Sequence, residues 1–253
     1  MNYKALARFL YAVVPGLAVI RFAAKDVLAN YFVKPEFRGI LPLVKEGLII
    51  DVGANRGQST AAFKKLTPKC TIVAFEPEPK LAKRLISRYC QDENVTIYGC
   101  ALGERSRVIT FFIPKYGRWN CDGMAATDRE TATSWLRNPG RMFWYDAEKL
   151  TVEEHLIECK TLDSYNLAPV LIKLHAQGAE TEILKGAHRT VRLHRPALMC
   201  AFPSMALTSL LGDWGYRPYV YSGGRFVPGI AKHLVTFTWF LADSHVRQAH
   251  IAT

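Results

Sequence analysis

The segment LIIDVGANRG, Leu48 to Gly57, decides the fold. A short apolar run ends there in an acidic residue and a glycine, and a helical pattern follows from Gln58 to Leu66. A strand, a glycine turn and a helix in this order are the context in which α/β proteins bind a cofactor. Glycine at positions 53 and 57 lets the backbone turn tightly and approach a ligand that side chains would exclude.

Strand and helix signals alternate beyond this loop, and the alternation predicts a doubly wound, mostly parallel, Rossmann-like α/β sheet. The segment His233–Ala242 alternates without a helix before it, so we expect an antiparallel strand that closes one edge. The other predicted elements are strands Thr71–Pro77, Val95–Ala101, Val170–His175, Ala197–Phe202 and one near Tyr219, and helices Lys80–Tyr89, Ala179–Leu193 and Met205–Trp214.

The loop and the second strand together predict a nucleoside cofactor. Its spacing in Asp51–Gly57 is D-x-G-x-N-x-G, which gives less support to a pyrophosphate than the G-x-G-x-x-G of dinucleotide folds. Glu76 ends the second strand about 20 positions later, where an acidic residue accepts hydrogen bonds from ribose hydroxyls in nucleoside folds.

Composition sets wider limits on function. The 253 residues are 49% hydrophobic and 22% charged, which excludes disorder, collagen-like repeats and a multispan membrane protein. A net charge of +11 favours an anionic partner, such as phospholipid, nucleic acid or a phosphorylated substrate. The chain has no RNA-binding motif, which argues against nucleic acid. Six scattered cysteines without C-x-x-C predict free thiols and a cytoplasmic location, and the histidines lack zinc-site spacing, so no metal is expected.

Residues 1–46 are predicted to be an N-terminal helical extension of a domain that spans 47–253. The apolar run Phe9–Ile20 is flanked by basic residues, is too short to span a bilayer, and should break near Pro15. It either packs on the domain or lies on a membrane surface, which would make the protein peripheral at the inner face. The segment 114–150 has no clear period, and we expect it to be a variable insertion that covers the active site.

Six blocks of sequence resemble the FkbM-type methyltransferase family in their order and spacing. The resemblance covers about Leu48 to Phe202, and the blocks are LIIDVGANRGQST, VAFEPEP, VTIYGCALGE, KTLDSY, LIKLHAQGAETEILKGA and RPALM. It implies a class I fold that uses S-adenosyl-L-methionine, and O-methylation of a sugar or polyketide hydroxyl.

The resemblance also implies roles for individual residues. Asp51, Gly53, Asn55 and Gly57 would line the methionine and ribose part of the cofactor, Glu76 would hold the ribose, and Ala101 and Leu102 would lie against the adenine. Two residues depart from the family pattern: His175 replaces an Asp at the end of the fourth strand, and Ala201 replaces a Glu at the end of the fifth.

The departure at His175 bears on the chemistry. Transfer of a methyl group to an alcohol needs a base for the hydroxyl proton, and a histidine at the carboxyl end of a strand suits that task. The alternative is a histidine that only packs or caps the next helix. Glu180 either caps that helix or reaches the site as a second catalytic candidate.

Three functions remain open from the sequence. The first is an O-methyltransferase that acts without a metal on a hydroxyl of a sugar, glycan or glycolipid intermediate. The second is a cofactor-binding protein of the same fold with lost or altered catalysis, because two family carboxylates are replaced. The third, methylation of nucleic acid, depends on basic charge alone and lacks a base-reading motif. The sequence does not predict an oligomeric state.

Overall fold

The computed structural model describes residues 3–138, 141–232 and 235–251, with the backbone alone for residues 25–31 and 122. The helices are, in chain order, α1 (Tyr3–Val13), α2 (Leu17–Tyr31), α3 (Gln58–Leu66), α4 (Pro79–Tyr89), α5 (Arg129–Ser134), α6 (Glu180–Lys185), α7 (His188–His194), α8 (Met205–Asp213) and α9 (Asp243–Gln248). Short 3₁₀ helices include Pro35–Ile40, Asp122–Met124 and Leu162–Tyr165.

The strands form two sheets. They are, in chain order, β1 (Gly47–Val52), β2 (Cys70–Phe75), β3 (Val95–Tyr98), β4 (Ala101–Leu102), β5 (Arg107–Tyr116), β6 (Trp119–Asn120), β7 (Leu150–Lys160), β8 (Pro169–Leu174), β9 (Ala197–Ala201), β10 (Arg217–Ser222), β11 (Arg225–Pro228) and β12 (Phe237–Leu241). The larger sheet has the order β11-β10-β12-β9-β8-β1-β2-β3 and the smaller one β4-β7-β5-β6.

The central five strands of the large sheet, β9-β8-β1-β2-β3, are parallel. Both faces of this part are buried, because successive residues such as Ile49 and Ile50 enter separate hydrophobic clusters. Side chains from α3 and α9 join one cluster, and side chains from α6, α7 and α8 join the other. Strands buried on both faces read as continuous apolar runs, which is why the sequence shows them clearly. The predicted doubly wound α/β fold is confirmed.

The predicted antiparallel strand is present, but its position is corrected. β12 pairs antiparallel with β9 and β10 and therefore lies inside the sheet, while β11 forms the antiparallel edge. β11 returns from β10 through Gly223 and Gly224, both at positive φ, in a hairpin that the sequence analysis did not identify. Of the segment His233–Ala242, His233 and Leu234 lie outside the described residues.

Two predicted elements are each divided. The segment Val95–Ala101 forms β3 and then crosses to the small sheet, where β4 pairs with β7. The predicted helix Ala179–Leu193 breaks into α6 and α7 at Gly186, where a Cβ atom would collide with the carbonyl oxygen of Gly103. The Asp163 carboxylate accepts from the backbone N–H of Arg189 and Thr190 and so caps α7.

The segment predicted as an insertion is enclosed by a long antiparallel pair. β5 and β7 pair from Arg107 opposite Cys159 to Tyr116 opposite Leu150, so the chain leaves and re-enters this sheet close to the predicted limits 114 and 150. The N-terminal chain bends between α1 and α2 at Pro15 and Gly16. Both helices pack on the insertion through a cluster of Tyr11, Ala12, Ala18, Tyr116, Trp119, Cys121, Leu136 and Met142. Across the described residues, no helix combines the length and the hydropathy that a membrane span requires.

Candidate active site

A cavity of about 500 Å³ lies at the carboxyl ends of β1, β2 and β8. Its lining comes from the last residue of β1 and the turn after it (52–56), the last residue of β2 and the turn after it (75–77) and the turn after β8 (175–177), together with β4. Ligands of open α/β sheets bind at this edge, and the volume is within the range of small-molecule sites.

Asp51 lies beneath the loop and does not line the cavity. Its Oδ2 accepts hydrogen bonds from the hydroxyls of Ser59 and Thr60, at 2.7 Å each. Its Oδ1 is 2.9 Å from Nζ of Lys173, which is also buried and donates to the carbonyls of Val52 and Gly53. The expected contact between Asp51 and the cofactor is thus corrected: this carboxylate and Lys173 hold the loop from below.

The three other predicted loop residues differ in position. Gly53 and Asn55 line the cavity, whereas Gly57 is buried and begins α3. Gly57 has a φ of +80°, and a Cβ atom there would stand 2.7 Å from Cδ2 of Leu85, so backbone conformation and packing against α4 favour glycine at this position. Gly53 has a φ of +71°, and a Cβ there would collide with the carbonyl oxygen of His175.

Glu76 lines the cavity and is almost fully buried. One carboxylate oxygen accepts from the backbone N–H of Asn55 at 2.5 Å, and the other from the N–H of Glu78 at 2.9 Å. Burial raises the pKa of Glu76 to about 7, although these two hydrogen bonds and the charge of Lys173 oppose the rise. Each oxygen keeps a lone pair for a further donor.

Ala101 and Leu102 line an apolar part of the same cavity. The rest of this part is lined by Phe75, Cys100 and Ile183. A flat, weakly polar group can therefore lie there without leaving buried hydrogen-bond donors unpaired. The positions predicted for adenine contact therefore face the cavity that Glu76 also faces.

His175 lines the cavity at the end of β8, as predicted from its place after the strand. Its backbone N–H donates to the carbonyl of Val52 at 3.1 Å, and its ring packs edge-on against Phe202 and Phe237, with centroids 6.1 and 5.9 Å away. Burial, together with the positive charges of Lys173 and Lys34, lowers the pKa of His175 to about 4. At neutral pH this imidazole is uncharged.

Glu180 does not line the cavity, and its proposed catalytic role is corrected. Its carboxylate accepts from the backbone N–H of Ala176 at 2.6 Å and of Gly178 at 3.0 Å. Both oxygens thus hold the turn between β8 and α6, so Glu180 positions the chain that carries His175. In the same turn Gln177 donates to the carbonyl of Gly123, which joins the insertion to the site.

The insertion contributes to the cavity through Gly123, Ala125 and Thr127. Trp119 of the insertion does not face the cavity but is buried against Tyr11 of α1, with ring centroids 5.9 Å apart. Asn120 pairs with Lys115 in the small sheet, and the side chain of Asp122 lies outside the described part of the chain.

One wall of the cavity was missed by the sequence analysis. It consists of the chain before β1, at Phe32, Val33, Lys34 and Phe37, and of Thr236 and Phe237 before and in β12. Glu36 joins these two segments, because its Oε2 accepts from the backbone N–H of Thr236 at 2.8 Å. Nothing in the local pattern marks these residues, since their proximity depends on the tertiary fold. Lys173 did carry a signal, because a lysine inside an apolar strand needs a buried partner.

The described residues contain no group of three or more His, Cys, Asp or Glu side chains that could hold a metal ion. All six cysteines carry free thiols, as predicted, and only Cys90 among them is exposed.

Comparison with known proteins gives this geometry a family. The Methyltransferase FkbM domain model matches residues 51–218. Among curated proteins, the chain is 24% identical over 151 residues to 2-O-methyltransferase NoeI of Sinorhizobium fredii, covering 57% of this chain and 58% of that protein. It is 27% identical over 158 residues to Methyltransferase 1 of Beauveria bassiana, covering 58% of this chain and 61% of that one. These matches span less than two thirds of either relative.

Among solved structures, FkbM methyltransferase from Methylobacillus flagellatus superposes with a TM-score of 0.49 at 19% identity, over 94% of this chain and 58% of that one. The family model covers well over half of the chain. The chain therefore belongs to the FkbM methyltransferase family, whose methyl donor is S-adenosyl-L-methionine.

Proposed function

We propose that this protein is an O-methyltransferase that acts on a hydroxyl of a sugar, glycan or glycolipid intermediate. The observation that carries the proposal is the presence of an uncharged imidazole, His175, in the same cavity as the buried carboxylate of Glu76. The relative named 2-O-methyltransferase NoeI supports the transfer to oxygen, and the sugar hydroxyl is our inference from the family resemblance.

The residues of the cavity fit the cofactor. The Glu76 oxygens have free lone pairs for two ribose hydroxyls, and the Ala101–Leu102 side offers an apolar surface for a base. Gly53 and Asn55 would lie along the rest of the molecule. When bound, S-adenosyl-L-methionine supplies an electrophilic methyl group on a sulfonium.

We assign His175 the role of general base. An unprotonated ring nitrogen accepts the proton of the acceptor hydroxyl as its oxygen becomes bonded to carbon. The ring has few orientations available, because Phe202 and Phe237 flank it and Glu180 fixes the turn that follows. The low pKa keeps the imidazole of His175 unprotonated at neutral pH. It also means that the ring nitrogen binds a proton more weakly.

The acceptor would enter between His175 and the wall formed by Phe37, Phe237 and Lys34. Two aromatic side chains provide apolar area for the carbon face of a sugar ring, and the side chain of Lys34 is 64% exposed. We propose that no metal takes part, because His175 and Ala201 occupy positions where the family pattern has carboxylates, the ligands that hard cations prefer.

A second candidate is a cofactor-binding protein with lost or altered catalysis. The observation that favours it is the low pKa of His175, since a base works best when its pKa is near the working pH. Both candidate functions predict the same binding of the cofactor. They differ only in the turnover of methyl transfer.

The free thiols of all six cysteines support a cytoplasmic location, because unpaired cysteines persist in a reducing compartment. The acceptor partner we propose is a small molecule or a glycan.

Two measurements test the proposal together. Calorimetry with S-adenosylhomocysteine establishes whether the cavity binds the cofactor product, and labelled S-adenosylmethionine with a panel of nucleotide sugars and lipid-linked sugars reports transfer. We expect binding and a labelled, base-stable methyl ether that His175→Ala loses while it still binds the product. Binding without transfer to any acceptor would favour the second candidate, and absence of binding by the folded protein would contradict both. Label transfer abolished by a chelator would contradict the metal-free assignment.

A further inference from the structure

Each of the two N-terminal helices buries one side on the insertion and exposes apolar side chains on another side. Tyr11, Ala12 and Ala18 are buried on the insertion. The backbone is also fixed there, since Arg118 N–H donates to the carbonyl of Ala12 at 3.0 Å. The helices therefore have a defined orientation on the domain.

The opposite side of both helices is apolar and exposed. Val19 and Ile20 are 72% and 69% exposed, and the other members of this surface are Leu10, Val13, Val14, Pro15, Gly16, Ala23 and Ala24. We call this set the corner surface, since it surrounds the bend between α1 and α2. An apolar surface of this kind is uncommon on a soluble monomer and marks an interaction site.

Within residues 3–24 the charged side chains are all basic. Residues 3–24 contain Lys4, Arg8 and Arg21 and no Asp or Glu. The guanidinium of Arg8 lies 4.4 Å from the ring of Trp135, and Arg141 lies on the same ring at 4.9 Å. Burial lowers the pKa of Arg8, and the charges of Arg141 and Arg21 lower it further. Arg8 thus lies on the side that packs on the insertion, whereas Lys4 and Arg21 are exposed.

From this geometry we propose that the corner surface docks the protein on an anionic phospholipid surface, with the apolar side chains in the interfacial layer and the basic groups at the headgroups. Apolar area and positive charge are the two properties by which interfacial helices bind such membranes. A second copy of the chain would satisfy the apolar area but would place like charges together, which is unfavourable. The proposal does not depend on methyl transfer.

The docked helices lead directly into the cavity. The chain after α2 continues through Phe32, which is 73% exposed, to Val33 and Lys34 in the cavity wall. The ring of Phe22 on α2 also lies 4.2 Å from the guanidinium of Arg56, another lining residue. The corner surface and this wall of the cavity are therefore joined by the second half of α2.

The test is flotation of the full chain with vesicles of phosphatidylcholine alone or mixed with phosphatidylglycerol. We expect binding to the mixed vesicles that falls as salt is added, because screening weakens the charge attraction. Val19→Asp and Ile20→Asp should each lower the bound fraction about tenfold or more, since a carboxylate resists burial in the apolar layer. The matched control is Leu156→Asp on β7, which makes the same charge change at a residue that is 78% exposed.

Leu156→Asp should bind like the unchanged chain, and thermal unfolding should show that all three variants are folded. Three results would overturn the proposal: no flotation of the unchanged protein, equal loss in the Leu156 control, or undiminished binding of Ile20→Asp. Sedimentation tests the other possible occupant of the corner surface, a second copy of the chain. A dimer that Ile20→Asp dissociates, in a protein without vesicle binding, would assign the corner surface to self-association and likewise overturn the proposal.

Discussion

The α-carbon of Gly53 faces the carbonyl oxygen of His175 so closely that a Cβ atom there would collide with it. The backbone N–H of His175 donates to the carbonyl of Val52, so the ends of β1 and β8 are joined directly. The cofactor loop and the proposed base therefore belong to one rigid edge of the sheet. Glycine at position 53 is required by this contact between strands, a reason different from the ligand approach expected from the sequence.

Gly53→Ala should destabilise the protein strongly. The substitution adds a steric collision to a left-handed backbone conformation, and we expect a loss of about 3 kcal/mol or more in the free energy of unfolding. Gly178→Ala is the matched control, because Gly178 also has positive φ, at +98°, but has nothing within 4 Å of its Cβ position. Urea unfolding measures both, and equal losses would show that the His175 carbonyl does not constrain the loop.

The buried pair of Asp51 and Lys173 gives a second prediction. Lys173→Met leaves a buried carboxylate without its cation and removes one hydrogen bond from each of the carbonyls of Val52 and Gly53, so we expect a loss of about 3 to 5 kcal/mol. Lys185→Met removes an exposed partner of Glu182 and should change stability little. Adding Asp51→Leu to Lys173→Met should recover part of the loss. Chemical denaturation checks these values, and similar effects of the two lysine substitutions would contradict the role of Lys173.

Glu76 predicts a pH dependence of cofactor binding. Its carboxyl must be ionised to accept two hydroxyl hydrogen bonds, and the pKa of about 7 means that protonation competes with the ligand below neutral pH. Affinity for S-adenosylhomocysteine, measured by calorimetry, should be constant above pH 7 and fall as pH decreases, by at most about tenfold per pH unit. Glu76→Ala should weaken binding by about 1.5 to 3 kcal/mol. Glu76→Gln should bind weakly and with a flat profile, and a slope unchanged in this variant would assign the titration to another group.

Glu76 also makes the stability of the ligand-free protein depend on pH. This dependence is opposite to that of cofactor binding, because low pH favours the folded state. The folded-state pKa of Glu76 is raised from 4.5, so the folded chain binds more protons than the unfolded chain between pH 4.5 and 7. The contribution of Glu76 to stability is therefore present at low pH and lost as pH rises through 7. Melting of the ligand-free protein should show this trend weakened in Glu76→Gln.

The sequence predicted the parts of the fold that local chemistry determines. Strands buried on both faces, such as β1 and β8, are continuous apolar runs, and the glycine turn between β1 and α3 is visible in LIIDVGANRG. The position of β12 inside the sheet was not predictable in this way. The β10–β11 hairpin forms the outer end of the sheet, and β12, which follows it in the chain, returns to lie between β10 and β9.

The candidate site also contains residues that the local sequence could place and residues that it could not. Glu76 and His175 could be placed because each follows a strand whose carboxyl end faces the cavity. Phe37 and Phe237 could not, since they are 200 positions apart and meet only because Glu36 binds the chain before β12. Asp51 and Glu180 were misassigned because a carboxylate near a ligand loop has the same appearance in sequence whether it faces the ligand or holds the backbone.

The last prediction concerns turnover and His175. His175→Ala should lower turnover by about 10² to 10⁴, the usual contribution of a positioned base, while affinity for S-adenosylhomocysteine stays within a few-fold. His175→Asp restores the residue that the family pattern has and should keep part of the activity. Glu180→Gln tests the positioning role separately, because it keeps one acceptor for the turn, places an amide N–H₂ against the other backbone N–H and removes no proton acceptor from the cavity.

The acid limb of the turnover profile distinguishes a base from a packing residue. The sequence alone places this limb near the ordinary imidazole pKa, whereas burial and the charges of Lys173 and Lys34 lower the pKa of His175 to about 4. An imidazole that stays neutral down to that pH keeps its acceptor nitrogen, so turnover at saturating cofactor should be flat through pH 6 and fall only near pH 4. Lys34→Met removes one of the two charges and should move the limb toward higher pH without changing its shape. An alanine variant with full turnover on the same acceptor would contradict the base assignment, because then the hydroxyl proton must leave to another group.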